Sequence, residues 1–230
     1  MSGTATGDGT APRAPAWRRR TAGERRWPAA LAVAVAIALQ LLLPDSIVPV
    51  TRLLLPVVEG ALLVALVVAN PYRVDRESSV LRMLGLALLG VVALSNGWSV
   101  VLLLQRILLG RPSSPGQLLA AGAAIWLTNV IVFGLAYWEF DRGGPAARAA
   151  GRRGHPDFLF AQMQSPELAP RDWEPAFADY LYLSFTNATA FSPTDVLPLS
   201  RWAKMIMMGQ SAVALMVVVL VVARAVNVLG

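Results

Sequence analysis

Apolar residues along this chain come in long blocks, not in the alternating or every-third-position patterns of half-buried strands and surface helices. Five blocks stand out: Pro28 to Leu43, Leu53 to Ala69, Val80 to Leu109, Leu118 to Trp138 and Ala203 to Val228. A helix needs about 20 largely uncharged residues to cross a hydrocarbon core of roughly 30 Å, where it satisfies its own backbone hydrogen bonds. The pattern predicts an all-α integral membrane protein with about five transmembrane helices. The first block is short and follows an Arg-rich tail, as the apolar stretch of a signal peptide does. Pro44, Asp45 and Ser46 follow it in place of a small-residue cleavage site, so it is read as a span.

The segments between the blocks divide the chain. Residues 1–26 are rich in Gly, Thr, Ala, Pro and Arg and read as a disordered basic tail. Residues 27–138 hold four spans, and residues 139–173 form a polar loop broken repeatedly by Gly and Pro. Within that loop "DFLFAQM", Asp157 to Met163, is expected either to dip its aromatic residues into the membrane edge or to pack as a loop. Residues 174–230 combine a polar stretch with the last span. A helix from Pro175 to Thr186 reaches only about 18 Å. It is therefore read as a short re-entrant half-helix before the last span, with Thr186, Asn187, Thr189, Ser192, Thr194 and Asp195 bonding the irregular backbone that follows.

Charge sets the orientation. Sixteen basic residues fall on one side of the five spans and four, Arg52, Arg106, Arg111 and Arg224, on the other. Basic residues collect on the cytoplasmic side, so the N-terminus and residues 139–204 are assigned there. A pI near 10.7 suits nucleic acid in general, but nineteen of the twenty basic residues are arginines flanking apolar blocks. They are expected to meet anionic lipid headgroups, with no nucleic-acid partner. Arginine in place of lysine, with abundant Ala and Val, points to a bacterial protein and hence to the plasma membrane.

Little in the chain suggests reaction chemistry. The absence of cysteine excludes disulfides, thiolate metal sites and cysteine nucleophiles. The single histidine, His155, lies in the polar loop and is read as solvated, not as a metal ligand with Asp141 or Asp157. No motif of a catalytic or phosphate-binding site occurs, so no catalytic residue, metal or cofactor is assigned. Glu59 sits mid-block, where an ionisable side chain is costly and marks a candidate site for protons or a cation. Asn129, Asn187 and Gln210 are further intramembrane candidates. With Asn96 and Gln105, two of these, Asn129 and Gln210, are the expected hydrogen-bond partners of Glu59, while Ala120 to Ala124, "AAGAA", reads as a helix-packing face.

The stretch Tyr182 to Arg201 resembles the pore-loop unit of two-span potassium channels, in which a pore helix and a filter precede the inner helix. Tyr182 and Ser184 match the pore helix, Thr189, Ala190, Phe191, Ser192, Pro193, Thr194 and Asp195 lie on the filter, and Pro198 and Arg201 match its far flank. A potassium filter is a ladder of backbone carbonyls, two of them at glycines. Here those glycines are Ser192 and Thr194, and Pro193 replaces the filter tyrosine, so the resemblance implies the scaffold without potassium selectivity. The same stretch is similar to the C-terminal signature of a family of uncharacterised multi-spanning bacterial membrane proteins, through Tyr182, Ser184, Phe185, Thr186, Asp195 and Val226-Asn227. Two functions follow as expectations. One is a pore-loop-like channel or transporter, a homo-tetramer if it forms a pore; the other is a non-conducting scaffold or accessory protein of the same fold.

Overall fold

The computed structural model describes residues 15–44, 53–70, 78–111, 114–152, 154–189 and 195–229. Five helices form the frame: α1 (Trp27–Leu41), α2 (Leu54–Ala69), α3 (Ser79–Leu108), α4 (Pro115–Phe140) and α8 (Arg201–Leu229). Between α4 and α8 lie the short helices α5 (Pro145–Ala149), α6 (Ala161–Gln164) and α7 (Phe177–Ala188), with two three-residue strands, β1 (Phe158–Phe160) and β2 (Val196–Pro198). The helix starts follow local chemistry. Pro115 occupies the first turn of α4 behind Ser114, whose Oγ accepts from the Gln117 amide at 3.3 Å. The Ser200 hydroxyl does the same for α8, accepting from the Ala203 amide.

Three helices, α3, α4 and α8, are long and apolar enough to cross a membrane by length and composition. The other two, α1 and α2, are equally apolar but only 15 and 16 residues long. Much of the frame's outward surface is Leu, Val and Met, including Leu31, Val64, Leu94, Met208 and Val219. Helices apolar on every side are those of membrane spans or deep cores. Only 28% of the most apolar window of α8 is buried, so the bilayer is the environment that covers the rest. A membrane location follows.

Side-chain contacts gather several chain ends at one end of the bundle, here termed the polar end. Arg26 Nη1 donates to the Asn70 carbonyl at 3.2 Å, joining the start of α1 to the end of α2. Glu24 Oε2 accepts from Trp138 Nε1 at 2.8 Å and from the Phe177 amide at 3.0 Å, adding the end of α4 and the start of α7. The start of α8 joins them through Trp202 Nε1, which donates to Asp157 Oδ1 at 2.8 Å.

The strands pair antiparallel, Phe158 opposite Pro198 and Phe160 opposite Val196. Phe158 and Phe160 are buried against Tyr137, Tyr180 and Trp202, with ring centroids 5.1–6.4 Å apart. Of the two expectations for Asp157 to Met163, the packed one is what forms. It does so as a ribbon, because pairing with residues 196–198 satisfies backbone that a loop leaves open.

The basic tail ends earlier than residue 26. Trp17 is buried, the Thr21 amide donates to the Ala149 carbonyl, and Glu24 is enclosed as above. Composition failed here because one tryptophan and one carboxylate anchor a segment otherwise built for solvent.

Candidate functional site

The first turn of α7 is fixed by Asp179, whose carboxylate accepts from the Ala176 amide at 2.8 Å. From there α7 runs along α4 at very short range. A Cβ on Gly134 would stand 3.2 Å from the Leu181 Cα, and the Ser184 hydroxyl donates to the Val130 carbonyl at 2.7 Å. At its far end Ala188 packs between Val130 and Ala214. The chain is next described at Asp195 and enters β2 at the polar end.

Where α4, α7 and α8 meet, a buried polar seam forms. Gln210, fully buried on α8, accepts at Oε1 from the Tyr137 hydroxyl and from Asn187 Nδ2 (2.9 Å). Its Nε2 donates to the Ser184 carbonyl at 2.9 Å and to Ser184 Oγ at 2.7 Å. Asn187 Nδ2 also donates to the Met207 carbonyl at 2.9 Å, and the Ser211 hydroxyl to the Asn187 carbonyl at 3.1 Å. Each polar side chain in the seam answers another, so a low-dielectric setting strengthens the set instead of penalising it. Two of the candidates read from sequence, Asn187 and Gln210, are thereby brought together. Tyr137 and Ser211 were missed, and Ser184 was noted only for its match to the pore helix.

The other two candidates lie elsewhere. Glu59 is fully buried among α1, α2 and α3, with both oxygens facing Gln40 Nε2 at 3.0 and 3.3 Å. Gln40 Oε1 in turn accepts from the Ser95 hydroxyl. The partners expected for Glu59 were Asn96, Gln105, Asn129 and Gln210; the ones it has are on the first block and one residue before Asn96. Among the described residues no ion pair reaches Glu59. Asn129 is buried on α4, and its Oδ1 has no hydrogen-bond partner; the same holds for Trp126 Nε1, one turn away.

Of the filter-equivalent positions, Ala190, Phe191, Ser192, Pro193 and Thr194 lie outside the described residues. Thr189 ends α7 and turns its hydroxyl back to the Phe185 and Thr186 carbonyls, at 3.2 and 2.9 Å. Asp195 stands half-buried at the entry to β2.

A third constellation, not foreseen, closes the polar end. Arg148 on α5 donates from Nη2 to Glu24 at 2.8 Å and from Nη1 to the Trp138 and Asp141 carbonyls. Asp141 is fully buried, accepting from the Tyr180 hydroxyl and from the Asp157 amide at 2.9 Å. Arg142 reaches the Trp17 carbonyl at 2.6 Å and takes a left-handed backbone, φ 51°, that is costly outside glycine. Burial works against the charge on Arg148, but Tyr180, Glu24 and Asp141 more than offset it and raise its pKa. Every charge here is answered, the condition under which buried ions persist. The signal was present only as isolated charges far apart in sequence.

His155 forms no metal constellation with Asp141 and Asp157; among the described residues no group of three or more metal-ligating side chains occurs. Comparison with protein-family models, curated proteins and solved structures finds no match to this chain.

Proposed function

We propose that the chain is a multi-pass protein of a bacterial plasma membrane, with five spans and a re-entrant half-helix, acting as a non-conducting scaffold or accessory protein of pore-loop-like design. One observation carries the functional part: the seam of Tyr137, Ser184, Asn187 and Gln210 is closed upon itself, leaving none of these groups to line a water-filled path. Conduction needs polar groups that exchange partners with a passing ion.

The five-span arrangement draws support from the polar end. The start of α1, the end of α2, the end of α4 and the starts of α7 and α8 meet there, as two hairpins of spans followed by a returning half-helix require. Helices of 15 and 16 residues span with modest local thinning or help from their flanks. The sixteen basic residues counted on one side assign this end to the cytoplasm.

A second reading, a channel or transporter assembled from several copies without a potassium-selective filter, is favoured by one feature. Tyr182 and Phe185 on α7 are 53% and 46% exposed, an aromatic face that neighbouring protomers round an axis would cover. Purified protein in liposomes decides between the two. The scaffold reading expects no flux of potassium, sodium, chloride or protons at any potential. Ion flux from particles of tetrameric mass replaces it with the second reading.

A further inference from the structure

At the polar end, α1 to α4 leave an open-sided cavity of about 970 Å³, within the range of ligand-binding sites. Its trunk is apolar, walled by Val33, Leu63, Leu66, Leu88, Val92 and Leu135. The mouth is not: Arg26, Asn70, Arg82 and Glu139 line it.

Three observations define what fits. First, the trunk has room up to the backbone of α3, because a Cβ on Gly85 would meet nothing within 4 Å. Second, Asn70 is only 7% exposed, yet its Nδ2 has no hydrogen-bond partner. A buried donor without an acceptor is costly, so an acceptor supplied by a ligand is worth more there than at the surface. Third, the arginines Arg26 and Arg82 share the mouth with the one carboxylate of Glu139, which both attract, leaving a net positive rim.

We propose that this cavity holds a chain of one anionic phospholipid, with the lipid phosphate at Arg26, Arg82 and Asn70 Nδ2. A long apolar trunk beneath a cationic, donor-rich mouth matches an acyl chain below a phosphate, and the arginines discriminate against headgroups without net negative charge. The inference needs the polar end to meet a membrane surface, and it is independent of whether the protein conducts.

The test uses the full chain, purified and delipidated in detergent, with phosphatidylglycerol and phosphatidylcholine of identical chains as probes and native mass spectrometry as the readout. Phosphatidylglycerol is expected to be retained ahead of phosphatidylcholine. Arg82→Gln is expected to narrow that preference about fivefold, the worth of one basic residue near an anionic headgroup. Gly85→Leu, which fills the trunk, is expected to abolish retention of both lipids without lowering the melting temperature of the lipid-free protein. Ala30→Phe narrows the same trunk from α1 and carries the same expectation. Equal retention of the two lipids by the unmodified protein overturns the proposal, as does undiminished phosphatidylglycerol retention in either folded variant. Inorganic phosphate that protects against heat as well as phosphatidylglycerol does assigns the mouth to a free anion and overturns it too.

Discussion

Gln210 shows how much one side chain can hold inside an apolar frame. It serves α4 through Tyr137 and α7 through Ser184 and Asn187. In Gln210→Leu, Asn187 keeps the Met207 carbonyl and Ser184 keeps that of Val130, but the fully buried Tyr137 hydroxyl loses the partner to which it donates. The expected loss of stability is about 1–3 kcal/mol in a reversible unfolding titration in mixed micelles. Adding Tyr137→Phe removes the orphan and should recover part of that loss; a double variant as unstable as the sum of the singles would show that the hydroxyl is not the cause. Asn187 and Gln210 were legible in the sequence because amides stand out in apolar runs. Tyr137 was not, since a tyrosine near the end of a span reads equally well as an interface anchor. The two carboxamide partners of Glu59 and Gln210 also differ in a way no pattern reveals: Gln40 faces a carboxylate, whereas Asn187 faces another amide.

Among elements, the tightest approaches are at two glycines of α4, and they differ in kind. A Cβ on Gly122 would stand 2.8 Å from Val221 Cγ1 of α8, a side-chain contact, whereas one on Gly134 meets the Leu181 backbone of α7. Both Gly122→Ala and Gly134→Val should destabilise, by about 1–3 kcal/mol for overpacking. Val221→Ala is expected to rescue the first, while no substitution at Leu181 rescues the second, because only a shift of α7 relieves it. Thermal unfolding of the four variants checks this; a rescue of Gly134→Val by Leu181→Ala would mean that the half-helix is not held by its backbone. The run Ala120 to Ala124 gave the α8 contact away as small residues do. The boundary of α7 was read two residues early, from Pro175, because the tie from Asp179 to the Ala176 amide sets the first turn later. The β1–β2 ribbon left no trace at all. Three residues are too few to show alternation, and their partner lies 36 to 40 positions away.

For the whole molecule, sidedness is the property on which each functional reading turns. Natural absence of cysteine gives a clean background. Ser114→Cys reports the end opposite the polar one, and Leu168→Cys, at a site 84% exposed in the polar loop, reports the polar end. An impermeant maleimide applied to intact cells should label only the Ser114 position; labelling at Leu168 alone would invert the orientation and turn the half-helix toward the outside. Charge counting made that orientation legible because it needs no contacts. The keystone of Glu24, Arg148, Asp141 and Tyr180 was invisible for the opposite reason, since it exists only through contacts between segments up to 153 residues apart. That separation also has a meaning in time. Glu24 leaves the ribosome 114 residues ahead of Trp138 and 153 ahead of Phe177, a delay of roughly 8–30 s at about 5–20 residues per second. Until then the carboxylate must stay wet or rest among headgroups, so the first segment to reach the membrane is among the last to settle. A nascent chain arrested before α7 carries an unsealed N-terminus, and that is the state a cellular protease meets.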